Sequence, residues 1–447
     1  MAHVVRGMIG VGLLLGALPA LAQGVALSAV DPVGIARSGV QVAYGYSLEA
    51  ATSNPALLSS LKDKNSAYLA FGLELSGIQQ SMQSNQTTVF STNRNRSIGG
   101  FGLAVRTSST MTLGLKLDEP YLLHRNLLDS APSRFLGDGL DFSARRLEGQ
   151  LAWSLSPNLS LGVGLGVARL AFDATTVLRL GVPGTVPTVA DGLVEQRVGE
   201  RGNKVVPSYS LGLRWAMNPR WTLGFTHQSG LKGDLSLKAD FRGAALGTYA
   251  NDGLSTALQG TGARAVALLA ASTPGVGSPT LELPSQTAIG VRHRLTPILT
   301  VETDLRWISA GLKVPTFPSV STPMGVTKAP SELPTSKGHV GVGVSSELEL
   351  GKFWTLRAGL FLDQPSVQAG MAEPLLGGSR TAEFSLGAGY KVWGGELNFG
   401  YQYRQSEDQD TTRLGGIWSS TGYRGVGTRS RMEAMGHLLA LGFRTSF

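Results

Sequence analysis

Charged residues placed at every second position of otherwise apolar stretches are the first feature of this sequence with a chemical consequence. Arg146 and Glu148, Arg214, Arg292 and Arg294, Glu302, Asp304 and Arg306, Arg357 and Arg404 alternate largely with Leu, Val, Trp, Tyr or Ala. An arginine so placed can fork onto the carboxylate of a ligand, or it can pair with neighbouring carboxylates and with an internal segment of the same chain. Both readings stand at this point. Covalent chemistry is poorly supplied. There is no Cys nucleophile and no G-x-S-x-G elbow. His124, His227, His293, His339 and His437 are scattered without ligand spacing, so neither a metal nor a cofactor is expected and the chain does not read as an enzyme. Gly162, Gly164 and Gly166 lie in mid-strand with no helix after them, which rules out a nucleotide loop.

The elements that carry these charges are strands. From Arg146 to Val167, the residues Leu147, Gly149, Leu151, Trp153 and Leu155 share one face of an extended chain, and Glu148, Gln150, Ala152 and Ser154 share the other. After the turn residues Ser156, Pro157 and Asn158, the apolar set Leu159, Leu161, Val163, Leu165 and Val167 alternates with Ser160, Gly162, Gly164 and Gly166. Each arm is long enough to cross a bilayer when tilted. The second face, small and polar, suits a narrow and partly wet lumen. The same hairpin recurs around Asn218-Pro219 and around Thr296-Pro297.

Bulk properties agree with membrane insertion by strands. The chain has 447 residues, of which 42% are hydrophobic and 16% charged, yet its mean hydropathy is only +0.06. No long uncharged run follows the N-terminus, which excludes helical spans; a barrel hides its apolarity because only alternate residues meet lipid. The net charge of +8 is spread along the chain and not clustered with aromatics, so nucleic acid is not an expected partner.

Residues 1–22 read as a secretory signal, with His3 and Arg6 before an apolar centre and Ala20-Leu21-Ala22 as a cleavage site. Residues 23–64 lack alternation and are rich in small residues. Asn54 is suited to cap a short helix that starts at Pro55 and runs to about Leu61. So little charge in a non-strand segment predicts that it packs inside the barrel.

The remaining chain, 65–447, reads as an all-β transmembrane antiparallel barrel of about 14 strands with that N-terminal hatch in its lumen. The expected strands include 95–107, 110–121, 158–174, 203–217, 220–241 and 282–295. Connections alternate between short ones, such as Ser108-Ser109 and Gly394-Gly395, and long ones, such as 175–202, 242–281 and 406–433. That alternation is the mark of periplasmic turns and external loops. A last strand ending on Phe447 suits recognition by the barrel insertion machinery.

Several short motifs, in order, are similar to those of a known family. They are Asn54-Pro55-Ala56, Leu283-Pro284, the run Asp304-Leu305-Arg306-Trp307, Leu356-Arg357-Ala358-Gly359, Asp363-Gln364-Pro365, Pro374, Arg380 and Ser385 to Tyr390. Together they resemble the FadL-type (OMPP1/FadL/TodX) outer-membrane transporters of long-chain fatty acids and other hydrophobic compounds. The resemblance implies a plugged fourteen-stranded barrel that captures substrate on external loops and releases it sideways at a kink in the third strand. Here that kink would fall at Asp118, Glu119 and Pro120, and the capture loops would carry Val177, Leu178 and Leu180, and Leu254, Leu258, Leu268 and Leu269.

The expected function is therefore passive import of long-chain fatty acids or other hydrophobic compounds, aromatic hydrocarbons among them, across the Gram-negative outer membrane. Expected partners are a hydrophobic small-molecule ligand and outer-membrane lipid, with the chain a monomer. A general diffusion porin and a barrel hydrolase are the alternatives. The external loops depart from the family pattern, so substrate identity does not follow from the resemblance.

Overall fold

The computed structural model describes residues 27, 29–44, 47–61, 64–82, 89–126, 139–181, 192–246, 273–276, 279–315, 319–322, 325–328, 336–366, 380–406, 409–411, 414–419, 422–427 and 430–447. Fourteen strands form one closed antiparallel sheet. They are β1 (Asn65–Met82), β2 (Val89–Arg106), β3 (Met111–Asn126), β4 (Gly139–Ser154), β5 (Leu159–Gly181), β6 (Gly192–Ala216) and β7 (Trp221–Gln228). The second half comprises β8 (Gln286–Arg294), β9 (Leu299–Ile308), β10 (His339–Leu350), β11 (Trp354–Asp363), β12 (Thr381–Val392), β13 (Gly395–Ser406) and β14 (Ser430–Ser446). Each strand pairs with the next, and β1 pairs with β14 from Ser66↔Ser446 to Met82↔Ser430, so the sheet closes on itself.

Period-two sequence decides which side chains meet lipid. Phe71, Leu165 and Trp307 are 65%, 68% and 58% exposed on the outer face, whereas Glu148 and Asp304, one residue out of phase, are fully buried. Trp153, Trp215, Trp221, Phe353, Trp354, Tyr390 and Trp393 are exposed around the rim that carries the short turns, as an interfacial aromatic girdle requires. The turn at Trp393-Gly394 has both residues at positive φ, and its two-residue length matches the twist of the flanking strands.

The strand assignments need correction in several places. The expected strand 220–241 breaks after Gln228: the chain turns inward, Leu231–Asp234 pairs with Thr280–Leu283, and Ser236–Leu246 pairs with β6. The next barrel strand starts at Gln286, not at 282, because Pro284 has no N–H for the ladder and its carbonyl accepts a hydrogen bond from the Tyr121 hydroxyl. Residues 175–202 are not mainly loop; β5 and β6 continue in register as far as Leu180↔Val194 and, after a shift of register, pair once more at Gly181↔Gly192.

Inside the barrel lies the N-terminal segment. Pro32–Ile35 forms one helical turn capped by Asp31, and Pro55–Ser60, where a short helix was expected, forms a 3₁₀ helix capped by Asn54. The described residues between 27 and 61 are buried almost throughout, against the inner faces of the strands.

Candidate functional site

The buried charges of β8–β11 meet the backbone and side chains of the N-terminal segment. Glu302 accepts hydrogen bonds from Arg37 Nη2 and from the Ala43 amide, both at 2.7 Å. Asp304 accepts from the amides of Gln41 and Val42 at 2.9 and 3.2 Å, and Arg306 donates to the Gly39 carbonyl at 3.1 Å. Tyr44, whose phenol is pushed up by burial and by Glu347, donates to Glu347 at 2.7 Å. Arg357 joins Glu347 to Glu396 (2.8 and 3.0 Å), and Arg444 continues the chain to Glu396 and back to Glu49 of the segment. This set of charge-assisted bonds fastens residues 37–49 to one side of the barrel.

Glycine provides the seats for the same segment. A Cβ at Gly162 would lie 2.2 Å from the Ala56 nitrogen, and one at Gly359 would lie 2.3 Å from the Arg37 carbonyl carbon. The small inner face therefore receives packed backbone where the alternation pointed to a partly wet lumen. Asn54 spans both partners: its side-chain oxygen accepts from the Ala56 amide at 3.0 Å, while its nitrogen donates to the carbonyls of Val42 and Leu213.

On the opposite wall, Asp118, Glu119 and Pro120 distort the third strand. Asp118 faces Arg146 and Tyr121 faces Ala144, so Glu119 and Pro120 together oppose the single residue Arg145. This is a β-bulge, and the strand continues to Asn126 beyond it, past the expected end at Tyr121. Pairing with β2 stops at Phe101↔Leu117, although β2 stays paired to β1 as far as Ser81↔Val89. Above Leu117 the backbone ladder between β2 and β3 is therefore open. Two further contacts sit at the bulge. Arg146 forks onto Asp118 at 2.9 and 2.6 Å, and the Leu27 amide donates to the Pro120 carbonyl at 3.0 Å.

Behind the opening is a cavity of about 60 Å³ lined by Leu27, Val30, Asp118, Pro120, Arg146 and Arg306, among others. Outward of it, towards the long connections, the lumen is lined and filled by an apolar cluster that includes Tyr121, Phe142, Leu170, Phe172, Leu231, Leu281 and Leu283. Polar fastenings thus occupy the level of the N-terminal segment, and apolar surface the level above.

The arginines resolve towards the pairing alternative. Arg146, Arg357 and Arg404 are bonded to Asp118, to Glu347 and Glu396, and to Glu383 respectively, the last at 2.8 Å. Glu148 sits 3.1 Å from Lys116 and accepts from Ser210 at 2.7 Å. Arg292 lies with its guanidinium 5.9 Å from the Tyr44 ring, and Arg214 is half-buried on β6. Arg294 is exposed at a turn, where it donates to the Pro297 carbonyl. Val177, Leu178 and Leu180, expected in a loop, lie on β5, whose ladder with β6 persists that far. Leu254, Leu258, Leu268 and Leu269 fall outside the described residues. Arg37, Lys116, Glu347, Glu383, Glu396 and Arg444 were not singled out from the sequence, although five of the six share the same alternation on their strands. No cluster of three His, Asp or Glu side chains fit for a metal exists among the described residues.

A fourteen-stranded barrel filled by its own N-terminal segment narrows the choice of family, and one match decides it. The family described as outer membrane protein transport protein (OMPP1/FadL/TodX) matches residues 13–447. This chain belongs to the OMPP1/FadL/TodX family. As a member it is a β-barrel of the outer membrane that serves transport. No curated protein matches the sequence. Among solved structures, a Pseudomonas aeruginosa FadL homologue is 15% identical with a TM-score of 0.72, over 95% of this chain and 100% of that one. The Pseudomonas putida toluene transporter TodX is 13% identical with a TM-score of 0.64, over 94% and 99%. The Ralstonia pickettii toluene transporter TbuX is 14% identical with a TM-score of 0.55, over the same shares. At these identities the likeness establishes the fold of the OMPP1/FadL/TodX barrel and leaves the ligand to be argued from this chain.

Proposed function

We propose that this protein imports small hydrophobic molecules passively, with the N-terminal segment as a hatch and with exit sideways into the membrane between β2 and β3. The observation that carries the reading is the end of β2–β3 pairing at Phe101↔Leu117, beside a bulge and a cavity that share Asp118 and Pro120. A hydrophobic molecule gains roughly 0.8 kcal/mol per CH₂ kept out of water, so a route from apolar lumen to lipid runs downhill where a wet pore would not. The paired state of Arg146, Arg357 and Arg404 favours uncharged ligands, because a carboxylate would have to displace Asp118, Glu347, Glu396 or Glu383. Uncharged hydrocarbons therefore fit better than fatty acids, and we read the latter as the second substrate class.

Closing the opening tests the route. The native chain has no Cys, so Gly99→Cys and Glu119→Cys, the positions that would face each other if pairing continued, can be bridged specifically by a bifunctional methanethiosulfonate. Bridging should reduce toluene uptake by about tenfold or more, a rise of at least ~1.4 kcal/mol in the transport barrier, and reduction should restore it. Unchanged uptake in the bridged protein would falsify lateral exit. Ligand extracted from the purified protein and identified by mass spectrometry separates hydrocarbons from fatty acids.

A further inference from the structure

Beyond the bulge the two edges of the opening do not simply part; they overlap. Tyr121 and Leu123 point into the lumen's apolar cluster, so Leu122 and His124, one residue out of phase, belong to the face of β3 that would meet lipid in an unbroken wall. Yet Leu122 is only 4% exposed, and it clusters with Ile98, which lies on the inner face of β2 along with Gly100 and Ala104. The outer half of β3 has moved under β2. One turn of the pleat further out, Arg96 of β2 reaches across the same overlap. Its Nη1 lies 2.6 Å from Asp141 on β4, and its Nη2 lies 3.9 Å from Glu119 at the bulge. The other Asp141 oxygen lies 2.5 Å from Nδ1 of His124, and Glu119 also accepts from Arg145 at 3.3 Å.

We propose that Arg96, clasped to Asp141 and Glu119, sets the upper limit of the lateral opening and thereby the largest cross-section of ligand that can leave the barrel. This rests on the lateral-exit reading above. The floor of the opening is the last backbone pair, Phe101↔Leu117, which the β ladder holds rigidly. Its upper margin has no backbone pairing between β2 and β3, and is held by Ile98 on Leu122 and by the Arg96 clasp. Side-chain contacts can part where a ladder cannot, and so the clasp is the adjustable margin. Arg96 acts as a positioning residue: it fixes where β2 lies over β3 and β4.

The test compares uptake of labelled toluene with that of labelled 1,3,5-triisopropylbenzene in cells carrying the full chain, normalised to folded barrel by heat-modifiable mobility on gels. Arg96→Ala and Asp141→Asn should each raise the ratio of bulky to small ligand several-fold with toluene uptake little changed, and Arg96→Lys should return most of the original ratio. A purely structural role would lower both uptakes together and leave the ratio as it was. An unchanged ratio in both variants, with the bridged Gly99→Cys/Glu119→Cys protein still blocked for toluene, overturns the clasp and leaves lateral exit standing. If bridging does not block toluene, the route itself is wrong and the clasp falls with it.

Discussion

At the scale of single residues, two side chains of the N-terminal segment concentrate its stability. Asn54 is fully buried and bonds to three backbone groups on two different parts of the structure. Asn54→Ala removes a helix cap and leaves two buried carbonyls short of a donor, at a cost of about 1–3 kcal/mol. Planar-bilayer recordings should show more frequent and longer current openings in this variant, with the barrel itself intact. Asp31 titrates near neutrality: burial first, and then the charge of Glu49, raise its carboxyl from 3.8 to about 6, against the lowering effect of the Gly34 amide. The neutral form is favoured in the folded protein. Its contribution is complete below the ordinary carboxylate value and is lost as pH rises through about 6, a change on the order of 3 kcal/mol at most. Hydrogen exchange across residues 32–44, corrected for intrinsic rate, should show looser protection at about pH 7.5 than at about pH 4. Asp31→Asn keeps an oxygen for the Gly34 cap and should flatten that dependence.

At the scale of elements, the inward glycines and the bulge do different work. Gly162 on β5 lies directly under the 3₁₀ helix, so Gly162→Val must push Pro55 and Ala56 away or tilt the helix. We expect normal barrel assembly with a raised resting conductance. If single-channel currents match the native protein, the seat is more yielding than its contact distances indicate. The bulge on β3 combines a proline, which cannot donate to a neighbouring ladder, with an Asp whose two oxygens are engaged by Arg146 inside the barrel. One local sequence thus supplies both the loss of pairing with β2 and the anchor that holds the displaced strand.

For the whole molecule, the ion-paired fastenings of the N-terminal segment gather on one side. Residues 37–44 are tied by charge to β8–β11, whereas Leu27 reaches the bulge through one backbone hydrogen bond. Deleting residues 23–64 therefore removes both the segment packed in the lumen and the residues Leu27, Ala29 and Val30 that line the cavity beside the bulge. Ion leakage should rise while uptake of a hydrophobic substrate falls, and a deletion that changes neither would show that the segment is no hatch. A steady large conductance in the native protein would favour a general diffusion porin instead.

The amino-acid sequence by itself determined the barrel. A side-chain period of two, kept over the strands, is a local property, and so are the short turns marked by Ser, Asn, Pro and Gly and the Asn54 cap. Those features follow from steric and hydrogen-bonding rules that act within a few residues, and each was legible before any coordinates. Tertiary structure alone decided which carboxylate each inward arginine meets, since Arg37 and Glu302 are 265 positions apart in the chain. It alone decided that Gly162 and Gly359 seat backbone from the hatch, that β5 and β6 outrun their expected loops, and that Leu122 is buried on a face where alternation puts lipid. The physical reason is the same in each case. Closing a sheet on itself and filling it with another segment brings together surfaces whose sequences carry no record of one another.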